Sequence, residues 1–258
     1  MPEFLLGVEV TPDILLLLMA AGFVAGFIDA IAGGGGLITV PVLLIAGANP
    51  VTALATNKIQ GLFGAATAAL SYARGGHVDL RSQWGSALIA FAASILGALL
   101  VSVLPVEWIR VILPVLLIGI AIFFATKKGL GDLDRARRLS PALFAGTMVP
   151  LCAAYDGLLG PGAGSFYMLA FVSLAGYGIL KATAHTKLLN LASNAGALAA
   201  FAFVATPWWI TGLAMGVAQI AGARLGALMA LKVGARLIKP LLVLTSVALA
   251  AKLILDML

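Results

Sequence analysis

Ten apolar runs divide the chain, at about 14–32, 37–47, 52–72, 84–104, 108–126, 142–159, 163–176, 187–206, 208–231 and 238–256. The polar positions gather between them rather than alternating with a strand period, so every run reads as a helix. A helix needs about 20 residues to cross the hydrocarbon core of a bilayer. Eight runs are long enough, and the pattern predicts an all-α polytopic membrane protein. The two short runs, 37–47 and 163–176, each begin directly after a glycine break, Gly33-Gly34-Gly35-Gly36 and Gly160-Pro161-Gly162-Ala163-Gly164. They read either as short tilted crossings or as re-entrant half-helices.

Composition agrees with the pattern. Of 258 residues, 62% are hydrophobic and 10% charged, against roughly 25% charged in soluble domains. The net charge of +6 sits mostly between runs, as the positive-inside bias of cytoplasmic loops requires, so no nucleic-acid partner is needed to explain it. The segment 127–140, with Lys127, Lys128, Arg135, Arg137 and Arg138 against Asp132 and Asp134, is placed in the cytoplasm. With ten crossings the 73–83, 177–186 and 232–237 loops also fall inside. The poorly charged links at 48–51, 105–107 and 206–207 fall outside, with both termini. Trp84, Trp108, Trp208 and Trp209 each start a run, where an aromatic belt belongs. The charges before the first run are Glu3, Glu9 and Asp13, which is not the basic start of a cleavable signal. One cysteine, Cys152, excludes an internal disulfide.

The chain repeats itself. Asp29 and its glycines recur 127 residues on at Asp156, Asn57-Lys58 matches Thr186-Lys187, Gly97-Ala98 matches Gly222-Ala223, and the Arg110…Pro114 segment matches Arg236…Pro240. Two halves of five runs each, 1–126 and 141–258, joined by a basic cytoplasmic linker at 127–140, must be inverted relative to one another. Inverted repeats with interrupted helices at matched positions are the mark of secondary transporters, which bind substrate near the midplane.

Candidate chemistry concentrates at the two breaks. Asn57, Lys58 and Gln60 start the third run; His185, Lys187, Asn190 and Asn194 start the eighth, and the last three share one helical face. Lysines at run ends also snorkel to headgroups; their matched places beside the breaks favour a ligand role. A half-helix beginning after Gly36 or Gly164 directs unpaired amides and a positive dipole end at the break. Gly33, Gly34, Gly35, Gly36, Gly160, Gly162, Gly164 and Ser165 therefore join the candidate set for a small oxyanion. Gly22/Gly26, Gly212/Gly216 and Gly222/Gly226 read instead as close helix packing. Asp29 and Asp156 would neutralise the lysines, cap a half-helix or carry a coupling proton. Of the two, Asp156 is expected to tolerate Asn better, because Gly157 follows it. Arg224, inside the ninth run, is expected to pair with a carboxylate or line the path. His185 reads more readily as a hydrogen-bonded neutral ring than as a switch. No cluster has metal-ligand spacing, and no cofactor is implied.

These residues also carry a resemblance. Residues 25–41 (AGFIDAIAGGGGLITVP), 53–58 (ALATNK), 155–167 (YDG-x-x-GPGAGSFY) and 181–190 (KATAHTKLLN) resemble the sulfite exporter TauE/SafE family, and within it the YfcA-type subgroup. The resemblance covers nearly the whole chain. It implies a bacterial inner-membrane anion transporter, in a family associated with sulfur oxyanions and organosulfonates such as sulfite and sulfoacetate; for the YfcA-type subgroup no named substrate carries over.

Three function classes follow. A secondary transporter of a small anion fits a site in which Lys58, Lys187 and Arg224 together outweigh Asp29 and Asp156. A cation- or proton-coupled carrier would use Asp29 and Asp156 as ion ligands. An intramembrane enzyme would need a nucleophile–base pair, and Ser165 has no histidine beside it, so an enzyme is not expected. No ATP-binding motif is present, which leaves a gradient as the energy source.

Overall fold

The computed structural model describes residues 9–102, 115, 118–127 and 129–255. Glu3, Trp108, Arg110, Pro114 and Lys128, which entered the reading above, lie outside the described residues. Within them the chain is helical throughout: α1 (Pro12–Ala32), α2 (Gly36–Ile45), α3 (Pro50–Arg74), α4 (Trp84–Leu99), α5 (118–126), α6 (Pro141–Leu158), α7 (Ala163–Ala170), α8 (Ile179–Val204), α9 (Trp209–Val233) and α10 (Ala235–Leu255).

Helix starts follow local chemistry. Proline stands at the head of α1, α3 and α6, where its missing N–H costs nothing. The Asn49 side chain accepts from Thr52 N at 2.9 Å and Ser140 Oγ from Leu143 N at 3.3 Å, which caps α3 and α6. The breaks are true backbone reversals: φ is +81° at Gly33, +98° at Gly34, +89° at Gly160 and +84° at Gly162, a region open to glycine and closed to most side chains.

Two boundaries differ from the apolar pattern. The eighth helix begins at Ile179 rather than 187, because Lys181, Thr183, His185 and Thr186 dilute its apolarity without leaving the helix. Lys187 is therefore well inside α8. Three described helices, Pro12–Ala32, Ile179–Val204 and Trp209–Val233, are long and apolar enough to cross a membrane by themselves. The helix α3 is as long, at 25 residues, but carries Asn57, Lys58 and Gln60 on its buried side.

The short helices resolve into hairpins. At 10 residues, α2 is about 15 Å long. It folds back beside the helix before it, so that Leu43 joins Leu18, Val10 and Ile14 in one apolar cluster. The second hairpin closes the same way: α7 widens into a π-helical turn over Phe171–Ala175, and the Phe171 ring packs at a tilt, 4.8 Å between centroids, on Phe144 from the start of α6. The tips are the two glycine breaks.

Small residues let the long helices approach. A Cβ on Gly22 would lie 2.9 Å from the Met215 carbonyl, and one on Gly26 2.7 Å from the Gln219 carbonyl. Each step advances four residues on both chains, so α1 and α9 run parallel. Gly222 and Gly226 press in turn on the Phe23 and Phe27 carbonyls, and Gly212 and Gly216 on Ile59 and Phe63 of α3. The packing role read from these glycines holds.

Candidate functional site

The hairpin tips meet. A Cβ on Gly33 would stand 3.0 Å from Gly164 Cα, and one on Gly36 3.4 Å from the Pro161 ring. Between the tips, α3, α8 and α9 leave a cavity of about 40 Å³. At roughly 10–15 Å³ for each water, that is room for a few waters or one small polyatomic ion.

Two ion pairs close the cavity, and both cross between halves. Lys58 Nζ is 2.7 Å from Asp156 Oδ1, and Lys187 Nζ is 3.0 Å from Asp29 Oδ2. Each carboxylate lies in the last turn of its helix, α1 or α6, where the dipole is negative. Neither helix has a basic residue of its own there. The compensating charge arrives from α8 and α3. Asp29 Oδ1 also accepts the Gly35 amide at 3.1 Å, so the capping role and the neutralising role fall on one side chain. The Ser193 hydroxyl donates to Asp156 Oδ2, and Lys58 donates to the Asp156 carbonyl at 2.5 Å. The Asp156 side chain is also the more buried of the two, 5% exposed against 23% for Asp29.

Neutral amides supply the cavity's donors. Asn57 Oδ1 accepts from the Thr39 hydroxyl at 2.6 Å and from Gln60 Nε2 at 2.7 Å, and Gln219 Nε2 donates to Gln60 Oε1 at 2.7 Å. This relay occupies the Asn57 carbonyl oxygen twice, which turns its NH₂ group toward Gly36 and the cavity. Asn190 and Asn194 line the other side, and Asn190 Oδ1 is buried without a hydrogen-bond partner. A buried acceptor left unpartnered is costly, and Gln219 Oε1, on the same cavity wall, is in the same position.

The half-helix amides differ from the expectation. Leu37, Ile38 and Thr39 N–H turn back to Gly34 and Gly35 carbonyls, and those of Ala163 and Ser165 to Gly160 and Gly162. Tight first turns satisfy them locally. Among the described residues, the Gly36 and Gly164 amides have no such bond.

The structure brings Asp29, Gly34, Gly35, Gly36, Asn57, Asp156, Gly160, Gly162, Gly164, Asn190 and Asn194 to the cavity wall. Gly33 forms the tip contact, Gln60 works through the relay, and Lys58 and Lys187 act through their carboxylates. Three candidates stand elsewhere. Ser165 Oγ lies 3.4 Å from Ser246 Oγ of α10. His185 Nδ1 bonds the Lys181 carbonyl at 2.9 Å and its ring packs on Tyr177. Arg224 is exposed on the outer side of α9 and forms no ion pair among the described residues, because the inward positions of that helix are Gly222, Ala223 and Gly226. It neither pairs with a carboxylate nor lines the cavity.

Sequence reasoning missed Gln219, Gly61, Ser193 and Thr39. Gln219 was detectable as the lone amide in an apolar run, and Ser193 as the hydroxyl one turn after Asn190.

The profile of the family described as Sulfite exporter TauE/SafE matches residues 18–253. The chain is 53% identical over 243 residues to a Sinorhizobium sp. protein named Probable membrane transporter protein ORF9, covering 94% of this chain and 93% of that one. It is 44% identical over 247 residues to Probable membrane transporter protein YfcA of Escherichia coli, with 96% and 92% covered. It is 43% identical over 244 residues to a Probable membrane transporter protein of Haemophilus influenzae, with 95% and 96% covered. No solved structure matches.

Proposed function

Because the chain belongs to the sulfite exporter TauE/SafE family and is a membrane transporter, we propose that it moves a small anion. The anion is a sulfur oxyanion or organosulfonate, held between the two hairpin tips. The observation that carries this is the set of N–H groups that line the cavity without a partner among the described residues: the NH₂ groups of Asn57, Asn190 and Asn194, and the Gly36 and Gly164 N–H groups. Those are donors for an oxyanion's acceptors. A cation would meet Asp29 and Asp156 already engaged with lysines, so binding there would have to expel an ammonium from each.

The binding element is a pair of inverted repeats, 1–126 and 141–258. Three relations support this. The lysine of each half pairs with the carboxylate of the other. The packing of α1 on α9 has a counterpart in α6 on α4, where Gly157 meets the Ser94 carbonyl and Gly97 that of Ala154. The α3–α9 contact has a counterpart in α8–α4, where Gly196 meets the Phe91 carbonyl. Loop charge supports a cytoplasmic 127–140 linker with both termini outside, and membership of the family supports a bacterial inner membrane. Alternating access then moves one hairpin tip away from the other while the long helices stay packed.

The test is a thermal-shift and binding screen of the purified protein against sulfite, sulfate, thiosulfate, sulfoacetate and taurine. At least one anion should stabilise the protein in a saturable way, and Asn190→Leu should remove that stabilisation. A flat response to the whole panel would overturn the reading.

A further inference from the structure

Resting on the anion reading above, we propose that Asp29 takes up a proton when the anion binds, and that the Asp29–Lys187 pair opens while the Lys58–Asp156 pair stays shut as a lock. The two pairs hold matched places but are unlike. Asp156 is gripped at both oxygens, by Lys58 and by Ser193, and Lys58 has a second hold on the Asp156 carbonyl. Asp29 has one lysine, at 3.0 Å, and one backbone amide, and its side chain is several times more exposed, 23% against 5%. Both carboxylates border the cavity, but only Asp29 is reached by water and ligand without dismantling three bonds.

Charge balance sets the step. Before binding, ammonium and carboxylate cancel, and the cavity offers an anion dipoles but no free positive charge. Lys187 Nζ lies 3.8 Å from where a Cβ on Gly164 would stand, so it is within reach of a ligand at the α7 tip. An anion that takes this ammonium leaves the Asp29 carboxylate beside a second negative charge and at the negative end of α1, in a space with little water to screen either. A proton from water, placed on the Oδ2 that Lys187 leaves, removes that charge. One O–H bond forms, no electron moves, and Oδ1 keeps the Gly35 amide. The pair plus one anion plus one proton gives a protonated carboxyl beside an ammonium–anion pair: a monoanion leaves the cavity neutral, and a dianion such as sulfate leaves it with one negative charge instead of two.

Apart from the Asp156 carboxylate, held at both oxygens, the described residues around Asp29 supply no other proton acceptor. Facing Asp29 are Lys187 from α8 and, from α3, Tyr72, whose hydroxyl donates to the Ala30 carbonyl at 2.8 Å. The helix α2 has no titratable side chain, and Tyr167, the titratable residue of α7, faces the Asp156 pair instead. Toward the cavity α9 presents Gln219, and α10 places Thr245 beside Gly34, both uncharged.

The test is calorimetry of the full-length protein with sulfoacetate, or with sulfate if it binds more tightly; neither titrates near neutral pH. Titrations in two buffers of different ionisation enthalpy count the protons taken up with each anion. Wild type should take up about one, with affinity rising about tenfold for each pH unit lowered. Asp29→Asn should bind the anion with no proton uptake and no pH dependence, and Asp156→Asn should keep the uptake. If Asp29→Asn does not fold, Asp29→Ser, which retains an acceptor for the Gly35 amide, carries the same comparison. Binding by wild type without proton uptake, or uptake that survives at full size in the Asp29 variant, overturns the proposal and leaves the anion reading standing. Absence of binding to any anion of the panel overturns both.

Discussion

Lys58 Nζ stands 2.7 Å from Asp156 Oδ1, with 1% of one side chain and 5% of the other exposed. A buried pair of this kind contributes little net stability over an apolar replacement, but breaking it by removing one partner costs about 3–5 kcal/mol. Its value here is positional. It fixes α3 of the first half to the last turn of α6 in the second, and the Lys187–Asp29 pair makes the reverse connection at 3.0 Å.

Lys58→Ala should therefore destabilise the protein by about 3–5 kcal/mol, and Lys187→Ala by clearly less, since the stranded Asp29 has access to water. The double change Lys58→Met with Asp156→Leu should recover most of the lost stability. Thermal unfolding of the purified variants checks the order. A Lys58→Ala protein as stable as wild type would show that the pair does not lock the halves.

Gly164 meets Gly33 through backbone atoms: a Cβ there would lie 2.9 Å from Gly33 Cα. Backbone cannot turn aside as a side chain does, so Gly164→Ala should push the tips apart at a cost of about 1–3 kcal/mol and abolish anion binding. Gly47→Ala is the comparison: φ is also positive there, at +99°, but nothing lies within 4 Å. It should lose some stability and keep its affinity. Equal loss of affinity in both would mean that the tip contact is not part of the site.

Much of this was legible in the sequence. The glycine breaks, their carboxylates and the lysines in matched places announced a site, because charges and broken helices do not persist in lipid without a reason. The crosswise pairing was not legible. Lys58 and Asp156 are 98 positions apart, and which carboxylate each lysine reaches depends on how the hairpins dock. The half-helix amides were overcounted, since a tight first turn consumes its own N–H groups and no composition rule reveals that. Arg224 misled because a charge inside an apolar run looks inward-facing until the glycines beside it are seen to own the inner side.

Gln219→Leu removes the donor that begins the relay to Asn57. Gln60 and then Asn57 become free to rotate, so anion affinity should fall by about tenfold, the worth of one hydrogen bond. Thermal stability should fall as well, by about 1–3 kcal/mol, because Gln60 Oε1 is left buried without its donor. Unchanged affinity, measured by calorimetry, would mean that Asn57 needs no orientation.

The linker is fastened by its acids. Asp132 accepts from Leu180 N at 3.1 Å and from Ala235 N at 3.0 Å, capping α8 and α10 together, while Asp134 takes Gly178 N and pairs with Lys181 at 2.5 Å. Asp132→Ala should cost about 1 kcal/mol for each cap, seen as a lower Tm. Partial burial pushes the Asp134 carboxyl up, but the Lys181 and Gly178 hydrogen bonds outweigh it and hold the group below the usual carboxylate range. Its contribution is therefore present at neutral pH and lost as pH falls through that lowered value. Asp134→Asn should flatten the acid side of the stability profile, slightly, because the pair is half exposed.

Loop charge predicts an orientation. Reporters fused at the C-terminus and within the linker near Arg137 should report opposite sides, with the linker cytoplasmic. Both reporters active on the same side would contradict the arrangement of two inverted halves.

The central claim is that a small anion binds between the hairpin tips and is carried across. The direct measurement is uptake of radiolabelled sulfite, sulfate and sulfoacetate into proteoliposomes, comparing wild type with Asn190→Leu. Saturable uptake of at least one anion, abolished in a variant that keeps wild-type thermal stability, is the predicted result. Wild-type vesicles that move none of these anions but do dissipate an imposed cation gradient would contradict it, and would hand Asp29 and Asp156 to the cation reading.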